Sequence, residues 1–248
     1  TTHAAVSLTS TARSILDNQA DRINVSASSL RFAANAGFGA SSNAFDTQVG
    51  TVAGRTIDGA VFLQDSADDL IIGSTQASSE VVAADSSITV NAVAPLSGIV
   101  SGGADASIVV TQTTGSINSI APVSAAGSGN ILLDAAGALA LNADVSSGSG
   151  NITLIGTSGV SLASSVTAQT AGTGTIDVSS LEGGLTMATD SSITALGGDV
   201  VVETTEDVLV AGITTNADVS LTSTAGSILD NQADRINVSA SSLRFDAN

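Results

Sequence analysis

Between Gly127 and Asp230 apolar and polar residues alternate in short bursts that return line after line: "GSGNILLDAAGALALNADVSS", "GSGNITLIGTSGVSLASSVTAQTA", "GTGTIDVSSLEGGLTMATDSSITAL", "GGDVVVETTEDVLVAGITTNA" and "DVSLTSTAGSILD". Each line opens with a turn and enters a short apolar stretch at residues 131–133, 152–154, 176–178, 200–202 or 219–221. A Gly or acidic break follows, then a second stretch at Leu139 and Leu141, Val160 and Leu162, Leu185 and Met187, or Val208 and Val210. A third apolar point closes the line at Val145, Val166, Ile193 or Ile213. The first apolar residues of successive lines, Ile131, Ile152, Ile176, Val200 and Val219, stand 21, 24, 24 and 19 residues apart.

Alternation with period two places Ile131 and Leu133 on one face of a strand and Leu132 on the other, which suits strands buried on one side. Three such strands cannot bury their apolar side alone, but stacked lines can. The spacing therefore predicts an all-β fold, a right-handed parallel β-helix of about ten coils of roughly 19–25 residues, each coil hydrogen-bonded to those above and below. The hairpins of a β-sandwich would not explain the near-constant spacing. The predicted unit is a single solenoid segment over 1–248.

Upstream the rhythm loosens. Candidate strands are residues 23–25, 30–32, 60–63, 70–72, 88–90, 99–100 and 108–110. In "SSNAFDTQVGTVAG", Phe45, Val49 and Val52 follow the potential cap Asn43 at helical spacing. That predicts one irregular loop or short helix near residues 41–53, leaving the coil.

A second, longer period overlies the first. Displaced by 213 positions, residues 1–35 pair with 214–248 and differ only at His3/Asn216, Ala5/Asp218, Arg13/Gly226 and Ala33/Asp246. Self-similarity at a long fixed period marks an array. On this reading 1–213 is one long unit of roughly ten coils, 214–248 begins the next, and the termini are expected to be cuts in a longer chain that carries any targeting segment elsewhere. The sequence contains no run of 18 or more apolar residues, the length a transmembrane helix requires.

Composition narrows the function. Aromatic residues are 2% of the chain, with no Trp or Tyr, while apolar residues reach 43%. A narrow coil interior accepts Val, Ile, Leu and Ala and has little room for Trp, and this apolar content is too high for a disordered linker. The net charge is −17, and none of the six Arg falls between Ile57 and Asp234. Such a surface repels phosphate backbones and anionic membranes, so nucleic acid is excluded as a partner and a divalent cation is the more compatible one. The absence of Cys removes disulfide and thiol chemistry.

The phrases "AANAGFGASSNAFDTQVGTVAG", "AVFLQDSADDLIIGS", the "SGSGNITL" lines and "TEDVLVAGITTNADVSLTSTAGSILDN" resemble the long repeats of giant filamentous-haemagglutinin-like bacterial surface proteins, over essentially the whole chain. The resemblance implies an exported adhesin fibre at the bacterial cell surface, with host or neighbouring-cell glycans or proteins as partners. The secretion domain of that family, with its Asn-Pro-Asn-Leu type of motif, has no counterpart here, which leaves the export route open.

Catalytic chemistry has little to work with. The sole His, His3, is Asn216 one period later, so a His-dependent triad is not expected. There is no Lys for a phosphate-gripping loop, and zinc is poorly served. Paired carboxylates exist at Asp68 and Asp69 and at Glu203, Glu206 and Asp207, but without the aromatic and basic residues that usually line a sugar groove. No catalytic or cofactor-binding residue is expected. A carbohydrate-binding or carbohydrate-processing β-helix is the alternative to a structural, adhesive rod.

Calcium is the one ion with candidates, Asp68, Asp69, Asp199 and Asp218, because "DDLIIGS" faintly resembles calcium-binding solenoid repeats. Finally, Asn130, Asn151, Thr175, Asp199 and Asp218 each precede the first strand of a line. Stacking should place them in one column, where Asp199 and Asp218 set like charges close together. Backbone N–H donors are the first expected remedy and a bound cation the second.

Overall fold

The computed structural model describes residues 4–19, 22–232 and 235–248. Among them there is no helix. The chain is a parallel β-solenoid of about ten coils, and all of its inter-coil ladders are parallel. The cross-section has three faces. The first face is visited at the C-terminal ends of Ala5–Ser10, Val25–Ala34 and Phe45–Thr56 (residues 8–10, 32–34 and 54–56), then at Ile99–Ser101, Val123–Ala125, Val145–Ser147, Thr167–Thr170, Ser192–Ala195, Ile213–Thr215 and Val238–Ser239. The second face runs from Ile15 and Phe38 through Val61–Asp65, Ile108–Gln112, Ile131–Ala135, Ile152–Gly156, Ile176–Ser180 and Val200–Thr204 to Asp218–Ser223 and Ser242–Ala247. The third carries residues 51–52, Asp69–Ile72, Ser116–Ser119, Leu139–Leu141, Val160–Leu162, Leu185–Met187, Val208–Val210 and Ile228–Asp230.

Strands bury alternate residues, so each face sends a column of Val, Ile and Leu inward: Ile108, Ile131, Ile152, Ile176, Val200 and Val219 stack rung on rung. Burying one such side chain contributes about 1.5–3 kcal/mol. The coils also approach closely at their corners. A Cβ on Gly150 would lie 2.3 Å from Gly129 O, and one on Gly174 would lie 2.1 Å from Gly150 O. The second Gly of each opening turn is therefore demanded by the coil beneath it.

Four features depart from the reading of the sequence. Residues 41–53 form neither helix nor long loop. A tight turn at Ala40 and Asn43 leads into the twelve-residue strand Phe45–Thr56. Phe45, Thr47 and Val49 point inward, then the alternation slips and Val52, Gly54 and Thr56 follow. That slip mimics helical spacing. Val25–Ala34 slips at the same place, and its register with Phe45–Thr56 runs Ala27↔Val49 and then Ser29↔Thr51. Both strands round a corner without a turn. Phe32, Phe38 and Phe45 fill the interior there, with ring centroids 3.9 Å and 4.5 Å apart.

Secondly, residues 88–90 are not in the coil. Residues 74–97 leave it as an antiparallel arm, in which Ser74–Thr75 pairs with Leu96–Ser97 and Ser78–Val82 with Ile88–Ala92. Thirdly, the rung between Val145 and Ile193 is Ala168; Val166 is buried in the preceding turn. Fourthly, after Ala5–Ser10 the first face is revisited eight times by Ile213–Thr215, so the 213-residue unit makes eight and a third coils rather than ten, the arm having taken residues from the coil.

The extra third matters. Ala5–Ser10 lies on the first face, whereas its copy Asp218–Ser223 lies on the second; Ile15 lies on the second and Ile228 on the third. The second copy is the first one rotated by one face about the axis. Part of its local bonding is kept. Residues 5–10 pair with 29–34 in the same register as Asp218–Ser223 with Ser242–Ala247. Asp17 Oδ1 accepts from Gln19 N–H (2.6 Å) and Asn24 Nδ2 (2.8 Å), and Asp230 Oδ1 accepts from Gln232 N–H (2.6 Å) and Asn237 Nδ2 (2.7 Å).

Candidate functional site

The polar residue before each second-face strand sits at a coil corner, where the N–H of the next coil would otherwise face water unpaired. Asn130 N–H donates to Ser107 Oγ (3.1 Å), Asn151 N–H to Asn130 Oδ1 (2.8 Å), and Thr175 N–H to Asn151 Oδ1 (2.9 Å). Asp218 N–H donates to Asp199 Oδ1 (3.1 Å), and Ser242 Oγ–H to Asp218 Oδ1 (2.7 Å). Between Thr175 and Asp199 the link is backbone, Ile176 N–H to Asp199 O (3.0 Å). The five residues thus stand in one column, and the two adjacent acids are each supplied with a donor from the coil above.

The same device recurs at the other corners. Thr167 N–H donates to Asp144 Oδ1 (2.8 Å), Ser116 N–H to Asp69 Oδ1 (2.9 Å), and Ser227 N–H to Asp207 Oδ1 (2.7 Å). A polar residue just before the first apolar residue of a strand is the sequence signal for all of them. Among the described residues no group of three or more His, Cys, Asp or Glu is placed to hold a metal ion. Asp68 and Asp69 are far from Asp199 and Asp218, on a different face and several coils away. Asp69 and Asp207 begin strands of one face but are five rungs apart, about 24 Å at the usual strand spacing. That is too far for a pair of catalytic carboxyls. His3 lies outside the described residues.

Sequence reasoning missed three acids. Asp65 is fully buried. Its Oδ1 accepts from Thr47 Oγ1 (2.7 Å) and Val49 N–H (2.9 Å), and its Oδ2 from Ala67 N–H (2.9 Å) and Gln112 Nε2 (3.1 Å). It ties three coils together where the long strand rounds its corner. Asp134 and Asp177 lie on the outward side of the second face, where neighbouring coils displace water and push both carboxyls above the usual range; the charge of Glu203 adds to the rise at Asp177.

Two surface features stand apart from this repeating pattern. A groove of about 620 Å³ crosses the third face, lined by small residues such as Ala138, Ser161 and Thr186, with Glu206 and Asp207 at its rim and no aromatic side chain. The arm is the other. Val82, Ile88 and Val90 are 67%, 63% and 66% exposed on one side of its two-stranded sheet, and its base is held by Arg31 Nε donating to Ala94 O (2.8 Å). No family model, curated protein or solved structure matches the chain.

Proposed function

We propose that the chain is a rod segment of a secreted or cell-surface repeat protein on the outside of a bacterial cell, serving as stalk or fibre. One observation carries this reading: two near-identical copies, 213 residues apart, lie in one continuous solenoid and keep the same strand register. A unit that returns to itself within a continuous coil is a unit of length. Stiffness comes from the ladders, reach from the number of units, and solubility from the net charge of −17. Adhesion then belongs to whatever the rod presents, including the arm that each unit repeats.

Polypeptides of two, three and four units, imaged by electron microscopy, test this. Each unit should lengthen the rod by about 40 Å, the rise of eight and a third coils at the usual strand spacing. Compact particles, or a length independent of unit number, would exclude a rod. The third-face groove supports a second reading, binding of a linear glycan. Its small lining side chains and acidic rim offer hydroxyl and carboxylate contacts but no stacking platform, and a glycan array probed with the labelled chain decides it.

A further inference from the structure

The chain has only six cationic side chains, and two of them stand together without an acid. Val25–Ala34 and Phe45–Thr56 pair with Arg31 opposite Ala53 and Ala33 opposite Arg55. Both arginines therefore leave the outward side of the sheet, on a diagonal of about 8 Å between Cα atoms. Burial, reinforced by the charge of Arg55, lowers the Arg31 pKa. A guanidinium nevertheless keeps its proton in a protein, so the positive charge stays.

The base of the arm lies over this place. Arg31 is only 5% exposed, and the outward-facing Ala53 beside it is 0% exposed. Buried charges are ordinarily paired with opposite ones. Arg31 has two neutral acceptors instead, Ala94 O for Nε (2.8 Å) and Ser7 Oγ for Nη1 (3.3 Å). The ion pairs among the described residues belong to Arg235 and Arg244, not to Arg31 or Arg55. The arm adds a further donor. Thr75, 4% exposed, lies in the strand Ser74–Thr75, which packs on both Val25–Ala34 and Phe45–Thr56, and its buried hydroxyl has no hydrogen-bond partner. The repeated segment shows what is missing: where residues 31 and 33 are Arg and Ala, residues 244 and 246 are Arg and Asp, and Arg244 Nη2 donates to Asp246 Oδ2 at 3.1 Å.

We infer that the base of the arm is an oxyanion site, in which Arg31 and Arg55 hold one small sulfate-like or carboxylate group and the Thr75 hydroxyl is a further donor. Arg31 is the buried anchor and Arg55, open to solvent, the entrance. Guanidinium groups match such oxygens with two bonds at a time. The net charge of −17 keeps polyanions away, so the ligand is a single small anion. Bound there, it ties the arm to the coil. The inference goes beyond the rod reading and does not depend on it.

The test titrates the isotope-labelled chain with sodium sulfate at constant ionic strength, sodium chloride making up the balance. The Arg31 and Arg55 Nε–H signals should shift along a saturating curve, and amides 74–77 and 93–97 should exchange more slowly at saturation. Arg55→Gln should raise the apparent dissociation constant by about tenfold or more, the effect of losing one charged hydrogen-bonding partner. Ala33→Asp, which installs the second copy's carboxylate opposite Arg55, should abolish the response. Unchanged slow exchange in residues 131–215 reports that the solenoid is folded in each variant. A parallel titration with glucuronate separates the sources: saturation identifies carboxylates as ligands, and its absence beside a sulfate response restricts the site to tetrahedral oxyanions. No saturable shift with either anion, or a response undiminished in both Arg55→Gln and Ala33→Asp, overturns the site.

Discussion

At the scale of single residues, two of the differences between the copies can be weighed by what lies beneath the second copy's side chain. Arg13 N–H and Gly226 N–H both donate to the turn hydroxyl, Ser10 Oγ (3.2 Å) and Ser223 Oγ (3.0 Å), so the backbone is shared. Yet a Cβ on Gly226 would meet Asp207 N at 2.5 Å and Glu206 C at 2.6 Å. A unit with Arg at this place needs a different coil below it. Gly226→Arg should therefore lower the melting temperature by several degrees, since forcing atoms into a packed contact costs about 1–3 kcal/mol. Asp218→Ala, which also restores the first copy's residue, removes one partly exposed acceptor and should cost about 1 kcal/mol or less. Equal melting temperatures for the two variants would refute the steric account. Asp177 gives a pH signature. Its raised pKa means that the folded state holds the proton more tightly than the unfolded chain. The associated stability is full below the ordinary carboxylate value of 3.8 and is lost as pH rises through the folded value. Asp177→Asn should melt higher than the parent at neutral pH, with the gap closing towards pH 3.8. A gap constant with pH would show that burial and Glu203 do not act on this carboxyl. The comparison must be between variants, because Asp17 and Asp230, held below the usual range chiefly by the N–H of Gln19 and Gln232, lose stability as the solution becomes acid.

At the scale of elements, the coil and the arm differ in what holds them. Each interior coil is paired on both sides and packed inward, so it cannot open without breaking two ladders. The outer part of the arm is a two-stranded sheet, Ser78–Val82 with Ile88–Ala92, whose ten residues are all exposed. An isolated pair of strands is marginal in water. Excising residues 78–92 in favour of a short turn should leave the thermal unfolding of the solenoid nearly unchanged by circular dichroism. A large loss would mean that the arm braces the corner at Arg31. The same excision should reduce binding of an apolar dye, because Val82, Ile88 and Val90 leave with it.

At the scale of the whole molecule, rotation of each unit by one face would make the proposed rod a screw. Arms of successive units should project in three directions and return to the first every third unit, a spacing of about 120 Å at the usual strand rise. Image averaging of multi-unit rods should show this, and arms aligned along one side would contradict the pairing of Asp218–Ser223 with Val200–Thr204. Calcium should not be needed for this geometry. The side-chain oxygens of Asp69, Asp199 and Asp218 already accept hydrogen bonds from neighbouring coils. Melting temperatures in calcium and in excess chelator should coincide, and a shift of several degrees that disappears in Asp218→Ala would place an ion in the column.

Much of this was legible in the chain. Period-two alternation is a local property of strands, and recurrence every 19–24 residues records the perimeter of a coil, so fold class, inward residues and the polar column from Asn130 to Asp218 could be read before any coordinate. The 213-residue identity was equally plain. Tertiary structure alone decided which face each strand occupies, because that depends on closing every corner in turn. The phase slips near Ser28 and Gly50, the replacement of Val166 by Ala168 and the departure of residues 74–97 each change that sum without altering local alternation. The buried network of Asp65 joins Thr47 and Gln112, distant positions that no local pattern links. The third of a turn separating the two copies is the accumulated result: sequence identity sets a repeating bonding pattern, while the coil count between copies, a long-range quantity, sets where that pattern points.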